Sequence, residues 1–333
     1  MIGGITMKAK TEERMKLRMM NRIAAGAAAL TLQLTGCRGT AKADAKYKTV
    51  EINGYVYLLS DPSYYYDPEA VKEQARSFNQ ALEDYPEVES YIYLLNSSRT
   101  TDMEHIAEEP RIYSTIVKAF DRSVTAYLKM DSAEDYARYF YTTDHHWKYE
   151  GSYTGYCQMI HMMLGEDEPV LEPEETVEFP FVFNGSMNES LKRADSKEKF
   201  TVYRFTYPPM KIEINGREKA AYGHQEEYFA GKYSKMVFAS HYSFFYGGEE
   251  GLIHFQTEKT EGKNLLVFSN SQSNAVDMLL ACHYANTWIV DPRHYEADNG
   301  KAFSLSDAVK EWEIDQVLIL GDGHYFKQPY HYR

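Results

Sequence analysis

The sequence predicts an α/β fold with a mainly parallel sheet and a strand-rich insertion. Two observations carry this reading. From residue 265 onward, short apolar runs alternate with helical stretches. Leu265-Leu266-Val267-Phe268, residues 287–290 and residues 317–320 read as strands, with helices over 273–284 and 304–312 between them. Apolar runs this short, without polar alternation, suit strands buried on both faces, and such strands run parallel with helices packed on them. Between about residues 167 and 259 the pattern is instead extended: Phe179-Pro180-Phe181-Val182-Phe183, Thr201-Val202-Tyr203-Arg204-Phe205 and Lys211-Ile212-Glu213-Ile214, closed by a turn at Asn215-Gly216. That stretch is the insertion.

The elements follow in chain order. Residues 1–36 read as a leader rather than as structure. Lys8, Lys10, Arg14, Lys16, Arg18 and Arg22 make a basic start, and residues 23–34 are an uncharged run rich in Ala and Leu. Such a run is shorter than the roughly 20 residues a membrane-spanning helix needs, and it suits a signal-peptide core. Leu34-Thr35-Gly36-Cys37 then resembles a bacterial lipobox, in which the leader is cut before the cysteine and the cysteine carries lipid. Residues 37–48 are small and polar and read as a tether, leaving 49–333 as the folded domain. Residues 49–60 alternate as a strand or hairpin around Asn53-Gly54. Residues 68–85 have helical spacing, capped by Asp67 before Pro68. Residues 90–95 read as a buried strand, and 112–120, 133–139 and 150–164 as helices.

The chain carries a net charge of −13, and its basic leader makes the remainder more acidic still. An acidic body argues against nucleic acid, which needs a basic footprint. The 29 Tyr, 16 Phe and 3 Trp leave two readings open, because aromatic faces suit sugar rings and tyrosine also packs well in strands. Beyond Cys37, only Cys157 and Cys282 remain; two cysteines make no disulfide scaffold, and both read as buried thiols.

Ligands of parallel α/β sheets sit beyond the carboxyl ends of the strands. Here those ends carry Ser271, then Asp291 and Arg293, then Asp322 and His324. Ser271 lies in the expected strand-to-helix turn, where the following N–H groups can hold an oxyanion. Ser269 and Ser273 are its rivals, and all three also suit plain helix capping. Well before them comes Asp144-His145-His146-Trp147. A neutral imidazole is a base near neutrality, with an ordinary pKa of about 6.5, and a carboxylate on its far nitrogen fixes its tautomer. In extended chain, Asp144 and His146 share one side and His145 faces the other. The same three residues are possible zinc ligands, but no Cys/His partner stands at a familiar ligand spacing, so no metal is expected. A polar turn before the next helix is the third reading.

Tyr141-Thr142-Thr143-Asp144-His145-His146-Trp147, followed by Gly151 and Tyr153, resembles the signature of the DHHW family of exported bacterial proteins. A second block is similar over residues 264–295: a strand, Ser271 with Asn274 three residues on, a helix, and Val290-Asp291-Pro292-Arg293-His294-Tyr295. Weaker echoes are Phe183-Asn184-Gly185-Ser186 and Tyr242-Ser243-Phe244-Phe245-Tyr246-Gly247-Gly248. That family resembles the alginate O-acetyltransferase proteins of the SGNH-hydrolase class. The resemblance implies a three-layer α/β/α sandwich whose Asp-x-His block precedes the serine block. It implies Ser271 as nucleophile, His146 as base and Asp144 as its orienting acid. The N–H of Ser271 or Gln272 would hold the oxyanion, with Asn274 and Arg293 nearby, and Trp147 would stack on sugar or pack under the histidine. The expected activity is O-acetylation of a cell-surface or secreted polysaccharide, without a cofactor, by an extracytoplasmic protein anchored through lipid on Cys37. A membrane-bound acyltransferase would supply the acyl group. An O-acetylesterase and a non-catalytic glycan-binding lipoprotein are the alternatives. Two residues depart from the family pattern: Asn270 stands where Asp is usual, and Gln272 where an aromatic residue is usual.

Overall fold

The computed structural model describes residues 47–332 except 234, 239 and 240. The leader, Cys37 and most of the tether lie outside the described residues. The domain begins with β1 (Tyr47–Ile52) and β2 (Tyr55–Ser60), an antiparallel hairpin. Its turn, Asn53-Gly54, has positive φ at both residues (52° and 79°), the conformation that tight two-residue hairpins demand. Next comes α1 (Pro68–Ala81), where the Asp67 carboxylate accepts from the Ala70 N–H and Pro68 opens the first turn. β3 (Glu89–Leu94), α2 (Tyr113–Ala119), β4 (Val124–Tyr127), α3 (Ala133–Tyr139) and α4 (Tyr149–Leu164) follow.

The expected insertion carries β5 (Glu175–Val182), α5 (Ser186–Leu191), β6 (Lys199–Arg204), β7 (Met210–Ile214), β8 (Arg217–Lys219), α6 (Glu226–Tyr233), α7 (His241–Tyr246) and β9 (Leu252–Thr257). The final stretch holds β10 (Asn264–Phe268), α8 (Asp277–Ala281), β11 (Asn286–Val290), α9 (Tyr295–Asn299), α10 (Leu305–Glu311), β12 (Gln316–Gly321) and α11 (Gly323–Lys327).

Eight strands form one sheet in the order β4-β3-β12-β10-β11-β9-β7-β8. The first five are mutually parallel. β9, β7 and β8 extend that sheet with antiparallel pairings. The sheet is therefore mixed, and the mainly parallel one expected from sequence holds for five strands. The reason is local. Residues 258–263, which join β9 to β10, are too few for a parallel crossover, which takes a dozen or more. β9 must run against β10 and its neighbours. β5 and β6 pair with each other in a separate small sheet.

Successive residues of the central strands enter different cores, as the two-residue strand repeat requires. Ile92, Leu94, Leu266, Phe268, Val317 and Ile319 pack with Val71 and Phe78 of α1, Ile116 of α2 and Val309 of α10. Tyr91, Tyr93, Leu265, Val267, Leu318 and Leu320 pack with Tyr136 of α3, Tyr156 and Ile160 of α4 and Leu280 of α8. Burial on both faces explains the uninterrupted apolar runs. Cys282 is buried as expected, whereas Cys157 is half-exposed to solvent; both are free thiols. Among the described residues, no helix is long and apolar enough to cross a membrane.

Candidate active site

The Asp144–His146 segment is a short loop pinned at both ends. An antiparallel bridge joins Phe140 to Trp147, and the Lys148 N–H donates to the Tyr139 carbonyl at 2.7 Å. Glu198, just before β6, fastens both arms. Its Oε2 accepts from the Thr142 N–H and hydroxyl, each at 2.8 Å, and its Oε1 lies 2.6 Å from Lys148 Nζ. Within the loop, Asp144 Oδ1 accepts from the His146 N–H at 3.0 Å. This local turn holds the carboxylate beside its own histidine. The loop is bent rather than extended, so His145 does not face away as expected. Its ring centroid lies 4.1 Å from that of His146.

The other carboxylate oxygen, Asp144 Oδ2, accepts from the Ser186 N–H at 2.7 Å. This contact depends on Gly185. A Cβ there would stand 2.5 Å from both the Asp144 Cβ and the Thr143 carbonyl oxygen. One of the weaker sequence echoes, Asn184-Gly185-Ser186, thus supplies the backbone that clamps the acid.

Ser271 lies beyond the end of β10. The expected helix over 273–284 is shorter: residues 271–276 are turns, and α8 begins at Asp277. Side chains of Asn and Ser compete with helical hydrogen bonding, which accounts for the late start. Asn270 Oδ1 accepts the Gln272 N–H at 3.0 Å, and the Ser273 N–H reaches the Asn270 carbonyl at 3.1 Å. No helix N-terminus stands behind Ser271, so the expected dipole contribution is absent. The Gln272 N–H is already engaged. The Ser271 N–H has no hydrogen-bond partner among the described residues, so of the two it is the one free to donate.

The serine and the loop meet. His146 Nε2 lies 3.0 Å from Ser271 Oγ, and His146 Nδ1 lies 2.6 Å from Asp144 Oδ1. The rivals are elsewhere: Ser269 Oγ donates to the Leu320 carbonyl at 2.7 Å, and Ser273 Oγ to the Asn270 carbonyl at 3.3 Å. Burial raises the Asp144 carboxyl pKa, but His146, then His145 and the Ser186 N–H, outweigh it and hold the acid well below the ordinary carboxylate range. Burial, then the neighbouring Arg99 and His146, lowers the His145 pKa well below the usual imidazole value. Burial and Arg99 push His324 down to about 4. Both of these histidines are therefore neutral at pH 7. Asp144, His145 and His146 offer ligand atoms within 4.8 Å of one another. His146 Nδ1 and Asp144 Oδ1 are hydrogen-bonded at 2.6 Å, closer than the roughly 3.3 Å that two ligands at about 2.0 Å from a tetrahedral ion would keep.

Ser271, Asn270, His145, His146, Arg99, Arg293, Glu249 and His324 line an open cleft of about 230 Å³. Arg293 lies in it as the sequence suggested, but its charge is spoken for. Its Nε lies 3.0 Å from Asp291 Oδ1, and its Nη2 lies 2.6 Å from Asp291 Oδ2 and 3.2 Å from Glu249 Oε1. Glu249 in turn is drawn down to about 2, chiefly by its hydrogen bond with His294 and, against burial, by Arg293.

Three other expectations change. Trp147 is fully buried (0% exposed), so it cannot stack on a substrate; its indole N–H donates to the Tyr242 hydroxyl at 3.1 Å, and its ring packs against Gly155 of α4. The Asn274 amide donates to the Gly247 carbonyl at 2.7 Å and serves the loop rather than the cleft. The Gln272 side chain is 1% exposed and reaches the His145 carbonyl at 3.3 Å. Sequence reasoning passed over Arg99, Glu198, Tyr242 and Glu249. Only Tyr242 and its following glycines carried a signal, as part of the second weak echo.

No family model matches the sequence, and no curated protein aligns with it significantly. Solved structures do share its fold. A DHHW family protein from Eubacterium siraeum matches with a TM-score of 0.63 and 18% identity, over 85% of this chain and 92% of that one. PatB1 of Bacillus cereus matches with a TM-score of 0.59 and 15% identity, over 86% of this chain and 100% of that one. PatB1 with a sulfonyl adduct gives a TM-score of 0.60 and 14% identity, over 86% and 99%. The O-acetyltransferase domain of Pseudomonas putida AlgJ has a TM-score of 0.43 at 11% identity, over 84% and 92%, too loose a match to argue from. The DHHW resemblance read from the sequence motifs is thus met in three dimensions, as a shared fold.

Proposed function

We propose that this chain is an acyl-transfer enzyme of SGNH-hydrolase type that O-acetylates a cell-surface or secreted polysaccharide. One observation carries the reading: Ser271 Oγ, His146 and Asp144 form a continuous hydrogen-bonded relay beside an open cleft. The two apolar cores on either face of the sheet support an α/β/α sandwich of that type. On this reading Ser271 Oγ attacks the acyl carbonyl and passes its proton to His146 Nε2. Asp144 stabilises the imidazolium that forms. The Ser271 N–H holds the oxyanion. The leaving group takes the proton from His146, and an acyl-serine remains. A sugar hydroxyl then gives its proton to His146 as it attacks the acyl carbonyl, and His146 returns that proton to Ser271 Oγ as the acyl-serine bond breaks; water in place of the sugar makes the same site an esterase. The leader 1–36 would direct export and be removed, and lipid on Cys37, with the tether after it, would hold the enzyme outside the cytoplasm, where a membrane-bound acyltransferase presents the donor.

The test is hydrolysis of p-nitrophenyl acetate by wild type and Ser271→Ala. The variant should lose on the order of 10³-fold or more in kcat/KM. A sulfonyl fluoride, apt because PatB1 carries a sulfonyl adduct, should label Ser271 in the wild type and nothing in the variant. Equal rates, or labelling elsewhere, would overturn the reading in favour of a non-catalytic glycan-binding lipoprotein.

A further inference from the structure

A second cavity, of about 150 Å³, adjoins the Ser271 cleft. Arg99 lines both. Gly323 lines the second cavity and His324, the next residue, lines the first. The rings of Tyr65 and His324 touch edge to face across the boundary, 5.8 Å apart. The two spaces are therefore neighbours that share Arg99 as a common wall.

The walls of the second cavity are of two kinds. Pro62, Tyr65 and Tyr66 offer apolar and aromatic surface, and Tyr66 is 43% exposed. Asn96, Asp102 and Glu109 offer hydrogen-bonding groups. An exposed ring face with polar groups at its margin is suited to a sugar, which has apolar C–H faces and a hydroxyl rim.

The charge balance narrows the class of sugar. Each arginine of the cavity already has an acidic partner, and His105 lies against a carboxylate too. Arg99 Nη1 lies 3.5 Å from Asp322 Oδ2, Arg111 Nη2 lies 3.3 Å from Asp102 Oδ2, and His105 Nδ1 lies 3.1 Å from Glu108 Oε1. Glu109 adds a further acid to the lining, with no ion pair among the described residues. In the neighbouring cleft Arg293 is held by Asp291 and Glu249. The chain as a whole carries −13. A uronate or sulfated polymer would bring its own negative charges to a lining in which acids outnumber arginines and each arginine already has a carboxylate partner.

We propose that this cavity is a subsite for uncharged sugar residues flanking the one that is acylated, and that the polysaccharide is a neutral glycan. This rests on the acyl-transfer reading for the identity of the reaction, but the binding claim is separable from it. Isothermal titration of the full protein tests it with two panels of equal length: neutral pentamers (cello-, manno- and chitopentaose) and uronate pentamers (mannuronate and galacturonate). At least one neutral pentamer should bind roughly tenfold or more tighter than either uronate. Tyr66→Ala should weaken that neutral pentamer by about fivefold to tenfold, while its far-ultraviolet circular dichroism stays that of wild type. Ser271→Ala should bind it as wild type does. Tighter binding of a uronate, binding of no neutral pentamer, or unchanged binding by Tyr66→Ala would each overturn the proposal. Absence of p-nitrophenyl acetate turnover in the wild type, with neutral binding lost in Tyr66→Ala, would sink the acyl-transfer reading and leave the subsite standing.

Discussion

The ring of Tyr242 lies nearly flat against the imidazole of His146, with centroids 4.0 Å apart and planes 12° from parallel. The same residue grips the serine turn. Its hydroxyl accepts from the Ala275 N–H at 3.3 Å and donates to the Gln272 carbonyl at 3.3 Å, besides receiving the Trp147 indole N–H. Two segments far apart in sequence are thereby held in register by one side chain.

Two substitutions separate these roles. Tyr242→Phe keeps the ring under His146 and deletes the hydroxyl, leaving the Trp147 indole N–H buried without a partner at a cost of about 1–3 kcal/mol in stability. Tyr242→Leu also removes the aromatic face beneath the developing imidazolium, which is worth about 0.5–2 kcal/mol and hence roughly 3- to 30-fold in rate. Melting temperature should fall in both, and kcat/KM for p-nitrophenyl acetate should fall further in the Leu variant. Identical rates for the Phe and Leu variants would remove the ring from the mechanism.

Asn270 supplies a prediction about a departure from the DHHW pattern. Its contribution is the Oδ1 that accepts the Gln272 N–H, and an aspartate offers the same oxygen. Asn270→Asp should therefore keep kcat/KM within about threefold, whereas Asn270→Leu strands a buried N–H and should cost roughly tenfold or more. If the Leu variant matches the Asp variant, the turn is held by something else.

Asp277 predicts a pH dependence of stability. Burial pushes its carboxyl up to about 7, against hydrogen bonds from Ser273 and Tyr222. An unfolded aspartate titrates near about 3.9. Between those values the unfolded chain has released its proton and the folded one has not, so stability falls as pH rises from about 4 to about 7. The ceiling on that loss is about 4 kcal/mol, at 1.36 kcal/mol per unit. Asp277→Asn cannot ionise, so its advantage over wild type in urea melts should grow across that window and then level off. Parallel curves for the two proteins would refute the assignment.

Much of the parallel half of the sheet could be read directly. β10, β11 and β12 are buried on both faces, and such strands announce themselves as apolar runs. The residues past their ends, Ser271, Arg293 and His324, do line one cleft. The antiparallel half was harder, because nothing in the composition of β7 or β9 says whether a hairpin stands apart or joins an existing edge. The helix after Ser271 was drawn too long because its apolar residues kept helical spacing while Asn270 and Ser273 took the backbone into turns. What the supports of the loop do was illegible for a different reason, although Gly185 and Tyr242 stand in the two weaker motif echoes. Gly185, Glu198 and Tyr242 act through contacts that exist only once distant segments have met, and Trp147 was buried because its indole nitrogen found a partner inside.

The ties made by Glu198 have a dynamic consequence. That residue stands at the edge of the β5–β6 ribbon, outside the main sheet, yet it grasps both arms of the segment bearing the base. Opening of the ribbon would release the anchor. The fraction of molecules competent at any instant is then bounded by the local opening equilibrium of a peripheral unit, which costs less than unfolding the whole domain. Amide exchange in β6 and in residues 141–148 should slow and quicken together, making a two-stranded ribbon off the main sheet the place where the setting of Asp144 and His146 is gained or lost.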